Sequence, residues 1–177
     1  MKFQDILWND SWKFALTEIN SFSIEQINKI PHFYDVEIPH DWLINDTRNL
    51  YKTGEGWYLK KFTLENADLE GKLFVTFEGV YMNSTVYVNG QEVGGNTYGY
   101  SSFNVEITDA VKEGENEIAV QVRYESPNSR WYSGAGIYRS VWLRKRAKEH
   151  IALNGIYAST RKTGEKSWEL LVDTELC

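Results

Sequence analysis

The sequence is poor in cysteine, in long apolar runs and in targeting signals. Its one cysteine is Cys177, so no intramolecular disulfide can form and nothing favours an oxidising compartment. No apolar run approaches the roughly 18 residues that a membrane-spanning helix needs. The start, "MKFQDILWNDSWKF", is too polar and too aromatic for a signal peptide. We therefore expect a cytoplasmic protein with no membrane partner.

Basic clusters and cofactor motifs are also scarce. The formal net charge is -6, and the one basic cluster is "RKRAK", Arg144 to Lys148. Nucleic acid is therefore not an expected partner, because phosphate binding needs a basic face. The histidines His32, His40 and His150 lack metal-ligand spacing, and no G-x-S-x-G, Walker or Rossmann pattern occurs. The sequence predicts no metal and no cofactor.

Alternating apolar and polar residues predict short strands in "KLFVTFEGV", "TVYVNG" and "NEIAVQVRY". Asn89-Gly90 is typical of a type I′ hairpin turn, since both central residues need positive φ. Short strands with frequent turns favour an all-β sandwich or barrel. Minor helical segments are predicted at Ser23 to Ile30 and Thr108 to Gly114.

The pattern changes after Leu143. "RKRAKEH" is typical of a linker, and two further strands are predicted at Ile151 to Thr160 and Ser167 to Leu176. Two strands cannot bury a core of their own. We therefore expect residues 1–147 to form one domain and residues 148–177 to be the truncated start of a second β-domain. An unpaired apolar hairpin of this kind should promote association, so a homo-oligomer is expected.

Candidate chemistry is sparse and centres on two places. With 25 acidic residues, no carboxylate pair can be chosen from the sequence, but Asp41 in "EIPHDWLI" lies between a proline turn and an aromatic residue. It either bonds backbone amides there or takes part in a site. Arg130 and Trp131 in "NSRWYSGAGIYR" precede a glycine-rich bend, and site and scaffold are equally supported for them.

The tryptophans could also line a sugar site, because flat rings cover the C–H face of a pyranose. Aromatic residues are equally common in strands. Four of them stand in alternating or apolar contexts, which favour core packing: Trp8, Trp12, Trp57 and Trp142.

Ordered motifs extend over most of the chain: "WNDSWKF", "IPHDW", "GEGWYLKKF", "FEGVYMNSTVYVNGQEVGGNTYGYSSF", "ITDAVKEGENEIAVQV" and "NSRWYSGAGIYRSVWL". With these motifs the sequence resembles the amino-terminal domain of glycoside hydrolase family 2, which contains β-galactosidases, β-glucuronidases and β-mannosidases. The last motif, together with "PHDW", is most similar to the β-galactosidase branch.

The resemblance implies a jelly-roll β-sandwich of the galactose-binding-like type, followed by an immunoglobulin-like domain and a TIM barrel. Both catalytic glutamates of the retaining mechanism belong to the barrel in this family, so no catalytic residue is expected in this chain, which should be inactive alone. Loops of the first domain help to shape the sugar subsite. The resemblance thus implies substrate contacts for Asn128, Arg130, Trp131 and, more weakly, Asp41. Better-known β-galactosidases place an aspartate where this loop has Asn128, Ser129 and Arg130.

The function implied is substrate recognition and structural support within a family 2 glycosidase, above all a β-galactosidase acting on a galactoside-type carbohydrate. Two other functions stay open. The chain could be a free-standing carbohydrate-binding module, or a structural domain whose surface serves assembly. The identity of the sugar and its linkage are open as well.

Overall fold

A computed structural model describes residues 3–177, which form fourteen β-strands and three short 3-10 helices. The strands are β1 (Gln4–Leu7), β2 (Trp12–Thr17), β3 (Tyr34–Val36), β4 (Gly54–Leu64), β5 (Lys72–Phe77), β6 (Val80–Tyr81), β7 (Ser84–Val88), β8 (Gln91–Asn96), β9 (Phe103–Glu106), β10 (Gly114–Tyr124), β11 (Gly136–Ile137), β12 (Val141–Arg146), β13 (Ile151–Lys162) and β14 (Trp168–Leu176). The 3-10 helices are Ile24–Lys29, Asn66–Glu70 and Thr108–Ala110. The predicted all-β class is confirmed.

Two antiparallel sheets enclose the core. One has six strands in the order β3-β2-β4-β10-β7-β8, and the other has four in the order β1-β12-β5-β9. Spatial neighbours are often distant in sequence, since β10 lies between β4 and β7, and β12 lies between β1 and β5. This long-range pairing across two sheets is that of a jelly roll. The predicted jelly-roll β-sandwich is confirmed.

Alternation decides which face of each strand enters the core, because successive side chains of a strand point to opposite faces. The predicted inward residues are buried in one cluster to which both sheets contribute. Full burial of a large apolar side chain stabilises a fold by about 1.5–3 kcal/mol. The residues with this period of two are Leu73, Val75 and Phe77 of β5, Val86 and Val88 of β7, and Ile118, Val120, Val122 and Tyr124 of β10.

The hairpin between β7 and β8 turns at Asn89 and Gly90, whose φ angles are 51° and 83°. Two positive φ values are what a type I′ turn requires. The Asn89 side-chain amide also donates to the carbonyl of Ala110 and to Oδ1 of Asn116, each at 2.8 Å. The predicted turn is therefore confirmed. Its two hydrogen bonds join it to a residue just before β10 and to a residue within β10.

Two of the four tryptophans expected in the core, Trp8 and Trp12, lie in the core between the sheets, whereas Trp57 is buried in a second cluster on the outer face of the six-stranded sheet. Trp8, Trp12 and Trp57 are buried, and the Trp12 indole N–H donates to the Trp8 carbonyl at 2.6 Å. Trp142 is half-buried, and its indole N–H donates to Oε1 of Glu78 at 2.9 Å. Packing in the core between the sheets is therefore confirmed for Trp8 and Trp12. It was wrong for Trp57 and Trp142, because their sequence neighbours face the core and alternation turns these two side chains to the outer faces of the sheets.

The predicted linker "RKRAKEH" was wrong at its start. Arg144 to Arg146 complete β12 and pair with β5, so the connection begins only at Ala147. The guanidinium groups of Arg144 and Arg146 lie 2.8 and 2.7 Å from the Asp5 carboxylate. A run of charge thus continues a strand where the neighbouring strand β1 supplies a counter-charge.

The last two strands form a hairpin of their own. β13 pairs with β14, and neither pairs with the sandwich. Both were predicted, although β13 continues past Thr160 to Lys162. Every residue of β14 is exposed. Of residues 3–177, no helix has the length and apolar character that crossing a membrane requires.

Candidate functional site

Distant segments meet at one surface of the sandwich, which we call the loop end: residues 38–43, 97–101 and 126–135. The backbone N–H groups of His40 and Trp42 donate to the carbonyls of Ile137 and Ala135, at 2.8 and 3.1 Å. The Tyr138 hydroxyl donates to the carbonyl of residue 99 at 2.8 Å. The sandwich therefore holds all three segments in fixed relation, because β11 and the chain beside it contact both of the others.

Asp41 joins the first segment to the third. Its Oδ1 accepts the backbone N–H groups of Leu43 at 3.0 Å and Ala135 at 2.9 Å, and its Oδ2 accepts the Tyr132 hydroxyl at 2.5 Å. A Cβ added to Gly134, which has φ +71°, would lie 2.8 Å from Oδ2. Glycine is therefore needed for this close approach, and the carboxylate fixes the path of the glycine-rich bend.

The Tyr132 hydroxyl remains a donor in this arrangement. Burial, reinforced by the hydrogen bond to Asp41 and by its negative charge, raises the pKa of Tyr132 well above its usual range. The phenol is therefore protonated at every physiological pH, and the contact with Asp41 is a charge-assisted hydrogen bond. This contact holds the residue that directly follows Trp131.

Trp131 is 60% exposed, although its polar edge is held. Its indole N–H donates to the Tyr100 hydroxyl at 3.0 Å, and its carbonyl accepts the Ser129 hydroxyl at 2.7 Å. The Tyr100 ring in turn makes edge contacts with Tyr81 and Tyr98, with centroids 5.2 and 5.8 Å apart. The surface thus offers a large ring that is anchored through its N–H while its faces are open to a ligand.

Asn128 and Arg130 flank the same ring differently. The Asn128 amide donates to the Glu125 carbonyl at 2.6 Å, and its Oδ1 accepts the Tyr81 hydroxyl at 3.1 Å. Asn128 is exposed, but its side chain also holds the loop in place through these two hydrogen bonds. Arg130 is exposed, and no ion pair among residues 3–177 involves it. The structure thus brings the four predicted site residues, Asp41, Asn128, Arg130 and Trp131, to the loop end. Among the described residues, no carboxylate forms an ion pair with Arg130.

Half-buried His40 of the loop end contacts the buried Tyr58 below it. Nδ1 of His40 is 2.8 Å from the hydroxyl of Tyr58, and that hydroxyl also accepts the N–H of Ile137 at 3.4 Å. We assign the hydroxyl proton to the bond with Nδ1, which makes the imidazole the neutral Nε2–H tautomer. Burial lowers the pKa of His40, against the opposing charge of Asp41.

Sequence reasoning missed the tyrosines of the loop end. Tyr98 and Tyr100 lie on either side of Gly99, and a Cβ there would lie 2.3 Å from the Tyr81 ring. Tyr132 directly follows Trp131. The one available signal was the density of tyrosine and glycine in "NTYGYSS" and "RWYSGAG". That signal does not reveal that the two stretches touch.

The jelly roll with an aromatic and polar loop surface defines the class of β-sandwich binding domains. A family model described as the sugar binding domain of glycosyl hydrolases family 2 matches residues 6–147. The chain belongs to this family.

Relatives agree with the assignment. A β-galactosidase of Bacteroides ovatus is 44% identical over 154 residues, which are 80% of this chain and 18% of that protein. A putative β-glucuronidase of Formosa agariphila is 32% identical over 96% of this chain and 17% of its own length. A crystal structure of a family 2 glycosyl hydrolase from Bacteroides cellulosilyticus superposes with a TM-score of 0.82 at 31% identity, over 97% of this chain and 25% of that one. The chain spans less than a fifth of the length of these curated relatives.

Proposed function

We propose that the loop end recognises the carbohydrate substrate of a family 2 glycosidase, with the bond-breaking groups supplied by a catalytic domain outside these 177 residues. The supporting observation is Trp131, whose ring is 60% exposed while its N–H is held by Tyr100. A ring fixed in this way can pack on the C–H face of a sugar without losing rotamer freedom on binding.

In this proposal the four predicted residues have separate roles. Trp131 packs on the sugar ring, and Asn128 and Arg130 hydrogen-bond its hydroxyl groups. Asp41 holds the loop through Tyr132 and Ala135, since its carboxylate already accepts three hydrogen bonds from the protein. We propose a galactoside as the substrate, which is supported by the 44% identity with a β-galactosidase.

A β-glucuronide is the second candidate, and Arg130 favours it. An exposed guanidinium without an ion pair among the described residues is suited to a uronate carboxylate. Several relatives are named β-glucuronidases. Hydrolysis of nitrophenyl β-galactoside and β-glucuronide by the full-length protein distinguishes the two. Arg130→Ala should impair glucuronide turnover selectively if the second candidate is correct.

The recognition role is tested by Trp131→Ala in the full-length protein. Loss of the ring should raise KM about two- to tenfold with a smaller change in kcat, because an aromatic contact contributes about 0.5–1.5 kcal/mol. Trp131→Phe keeps a flat ring and should restore part of the affinity. An unchanged KM together with an altered oligomeric state would instead support the assembly-domain hypothesis.

Assays on the isolated 177-residue chain distinguish the remaining hypotheses. We propose that it has no hydrolytic activity; turnover by these 177 residues that an acidic substitution abolishes would contradict this. Millimolar or tighter binding of a galactoside at the loop end, seen by ligand-observed NMR, would support a free-standing carbohydrate-binding module.

We further propose a domain boundary at residues 147 and 148, with β13 and β14 as the first strands of an immunoglobulin-like domain. This division is supported by the family model, which ends at residue 147, and by a hairpin that pairs only with itself among the described strands. Homo-oligomer formation and a cytoplasmic location remain predictions from the sequence.

A further inference from the structure

A second surface, separate from the loop end, has the features of a ligand site. A groove of about 640 Å³ lies on the outer face of the six-stranded sheet. Its floor contains Trp57 of β4, Tyr87 of β7 and Gln121 of β10. Their sequence neighbours face the core, so alternation turns these three side chains outward. Residues 20–26 form one wall, and the β7–β8 hairpin with Glu92 forms the other.

The first wall is packed against the sheet. Ile27 and Ile30 are buried against Trp57 and Ala119 in a small apolar cluster of their own. At the start of the 3-10 helix, the backbone N–H of Ser23 donates to the side chain of residue 26 at 3.3 Å. The polar side chains of the wall therefore stand on a segment that packing holds against the sheet.

The floor is built around a supported aromatic ring. Tyr87 is half-buried and stacks on Trp57, with the centroids 6.3 Å apart and the planes inclined by 28°. The Trp57 indole N–H donates to the fully buried carboxylate of Glu55 at 3.2 Å, and that carboxylate is paired with Arg123 at 3.2 Å. Trp57 is thus held at its indole N–H by a neighbour on the same face of β4, so the exposed part of the Tyr87 ring lies against a buried, hydrogen-bonded ring.

The lining is rich in hydrogen-bonding groups and has no positive charge. Carboxylates and amides surround the ring, and none of the lining residues in the described part of the chain is Lys, Arg or His; the polar members are Asn20, Ser23, Glu25, Gln26, Glu92 and Gln121. Beyond Gln121 the groove continues into a smaller depression of about 220 Å³. Its lining includes the hydroxyl groups of Ser84, Thr85 and Thr97 and the charged side chains of Arg123 and Glu125. The surface is therefore elongated rather than a closed pocket.

We propose that this groove binds a neutral oligosaccharide, as a carbohydrate site additional to the loop end. The Tyr87 ring packs on the C–H face of one sugar unit, and the amides and carboxylates of Gln121, Gln26 and Glu92 accept or donate hydrogen bonds to its hydroxyl groups. The inference does not depend on the function proposed for the loop end.

Charge and geometry favour this occupant over others. The acidic walls of the main groove disfavour a uronate or a phosphorylated ligand, because none of its lining residues is a cation. Arg123, which lines the adjoining depression, is already paired with Glu55. A bound peptide strand would need a free sheet edge for its backbone hydrogen bonds. The floor here is instead a sheet face whose central strand, β10, is paired on both sides. Hydroxyl-rich, uncharged sugar rings match an aromatic floor with acceptor walls.

The test maps binding on the 177-residue chain by ¹⁵N NMR. The neutral probes are β-1,4-galactotetraose, cellotetraose and xylotetraose, and tetragalacturonate is the anionic comparison. At least one neutral probe should shift the amides of Tyr87, Gln121 and residues 22–26 with micromolar to millimolar affinity, and tetragalacturonate should not. Tyr87→Ala should weaken this binding about tenfold, whereas Trp131→Ala, at the loop end, should leave it unchanged.

Thermal unfolding checks that Tyr87→Ala is folded, and Gln121→Ala serves as a second variant that keeps the Tyr87–Trp57 stack. If Tyr87→Ala does not fold, the affinity of Gln121→Ala decides. The proposal is overturned by any of four results: no shift with the three neutral probes at about 10 mM, shifts confined to the loop end, binding that both variants retain in full, or tighter binding of tetragalacturonate at the same residues.

Discussion

Tyr132→Phe should destabilise the loop that carries Trp131, because it removes one O–H group and keeps the ring. The hydroxyl donates to Oδ2 of Asp41 at 2.5 Å. A hydrogen bond to a charged group contributes about 1.5–3 kcal/mol, but Tyr132 is 37% exposed, so water screens part of this energy. We therefore expect the free energy of unfolding to fall by about 1–1.5 kcal/mol.

A double-mutant cycle with Asp41→Asn isolates this contact. The asparagine keeps an acceptor oxygen for the N–H groups of Leu43 and Ala135, and removes the charge that faces Tyr132. Each variant is measured by urea unfolding at pH 7, followed by circular dichroism. The coupling energy should be about 1 kcal/mol, because the two residues are in direct contact.

Tyr98→Phe is the matched control for this cycle. Tyr98 is 63% exposed, and its hydroxyl forms no hydrogen bond with any described residue, so its loss should change stability by less than about 0.5 kcal/mol. The reasoning is refuted if Tyr132→Phe and Asp41→Asn add within about 0.3 kcal/mol. Such additivity would mean that the hydroxyl and the carboxylate do not stabilise the loop together.

Three further outcomes are expected. Gly134→Ala should lower the free energy of unfolding by about 1–2 kcal/mol, since the residue has φ +71° and a Cβ would approach Asp41; unchanged urea unfolding would contradict this. Stability should fall as the pH drops through the ordinary His pKa of about 6.5. The reason is that unfolded His40 binds a proton there, while the native pKa is lower; His40→Gln should reduce this dependence in urea titrations between about pH 7 and 5. The exposed β13–β14 hairpin should cause this chain to associate, so a monomeric mass from light scattering would speak against an apolar docking surface.

The sandwich was predictable because its strands show a local alternation of apolar and polar residues. Leu73, Val75 and Phe77 alternate with polar residues, and one buried face is enough to fix their orientation. The dipeptide Asn89-Gly90 likewise predicts the turn type, because other residues rarely tolerate two successive positive φ angles. The prediction of a linker from Arg144 was wrong because no local signal shows the strand. Arg144 pairs with β5, and its charge is compensated by Asp5, at the other end of the domain.

The candidate site was only partly predictable. Asn128, Arg130 and Trp131 adjoin one another in sequence, so one unusual segment identified them together. Tyr100 could not be assigned to the site, because its role depends on receiving the Trp131 indole N–H across thirty-one positions of sequence. The groove around Tyr87 was not predicted either, because it requires a wall from residues 20–26 beside the β7–β8 hairpin.

The sequence by itself determined the all-β class, the strand faces, the principal hairpin turn and the family motifs. These depend on side-chain period and on backbone preferences that neighbouring residues express. Only the tertiary structure decided which loops share a surface, that Asp41 is engaged with Tyr132 and the bend, and that Trp57 supports the Tyr87 ring. Such contacts join residues far apart in the chain, and their energy exists only after two sheets have packed.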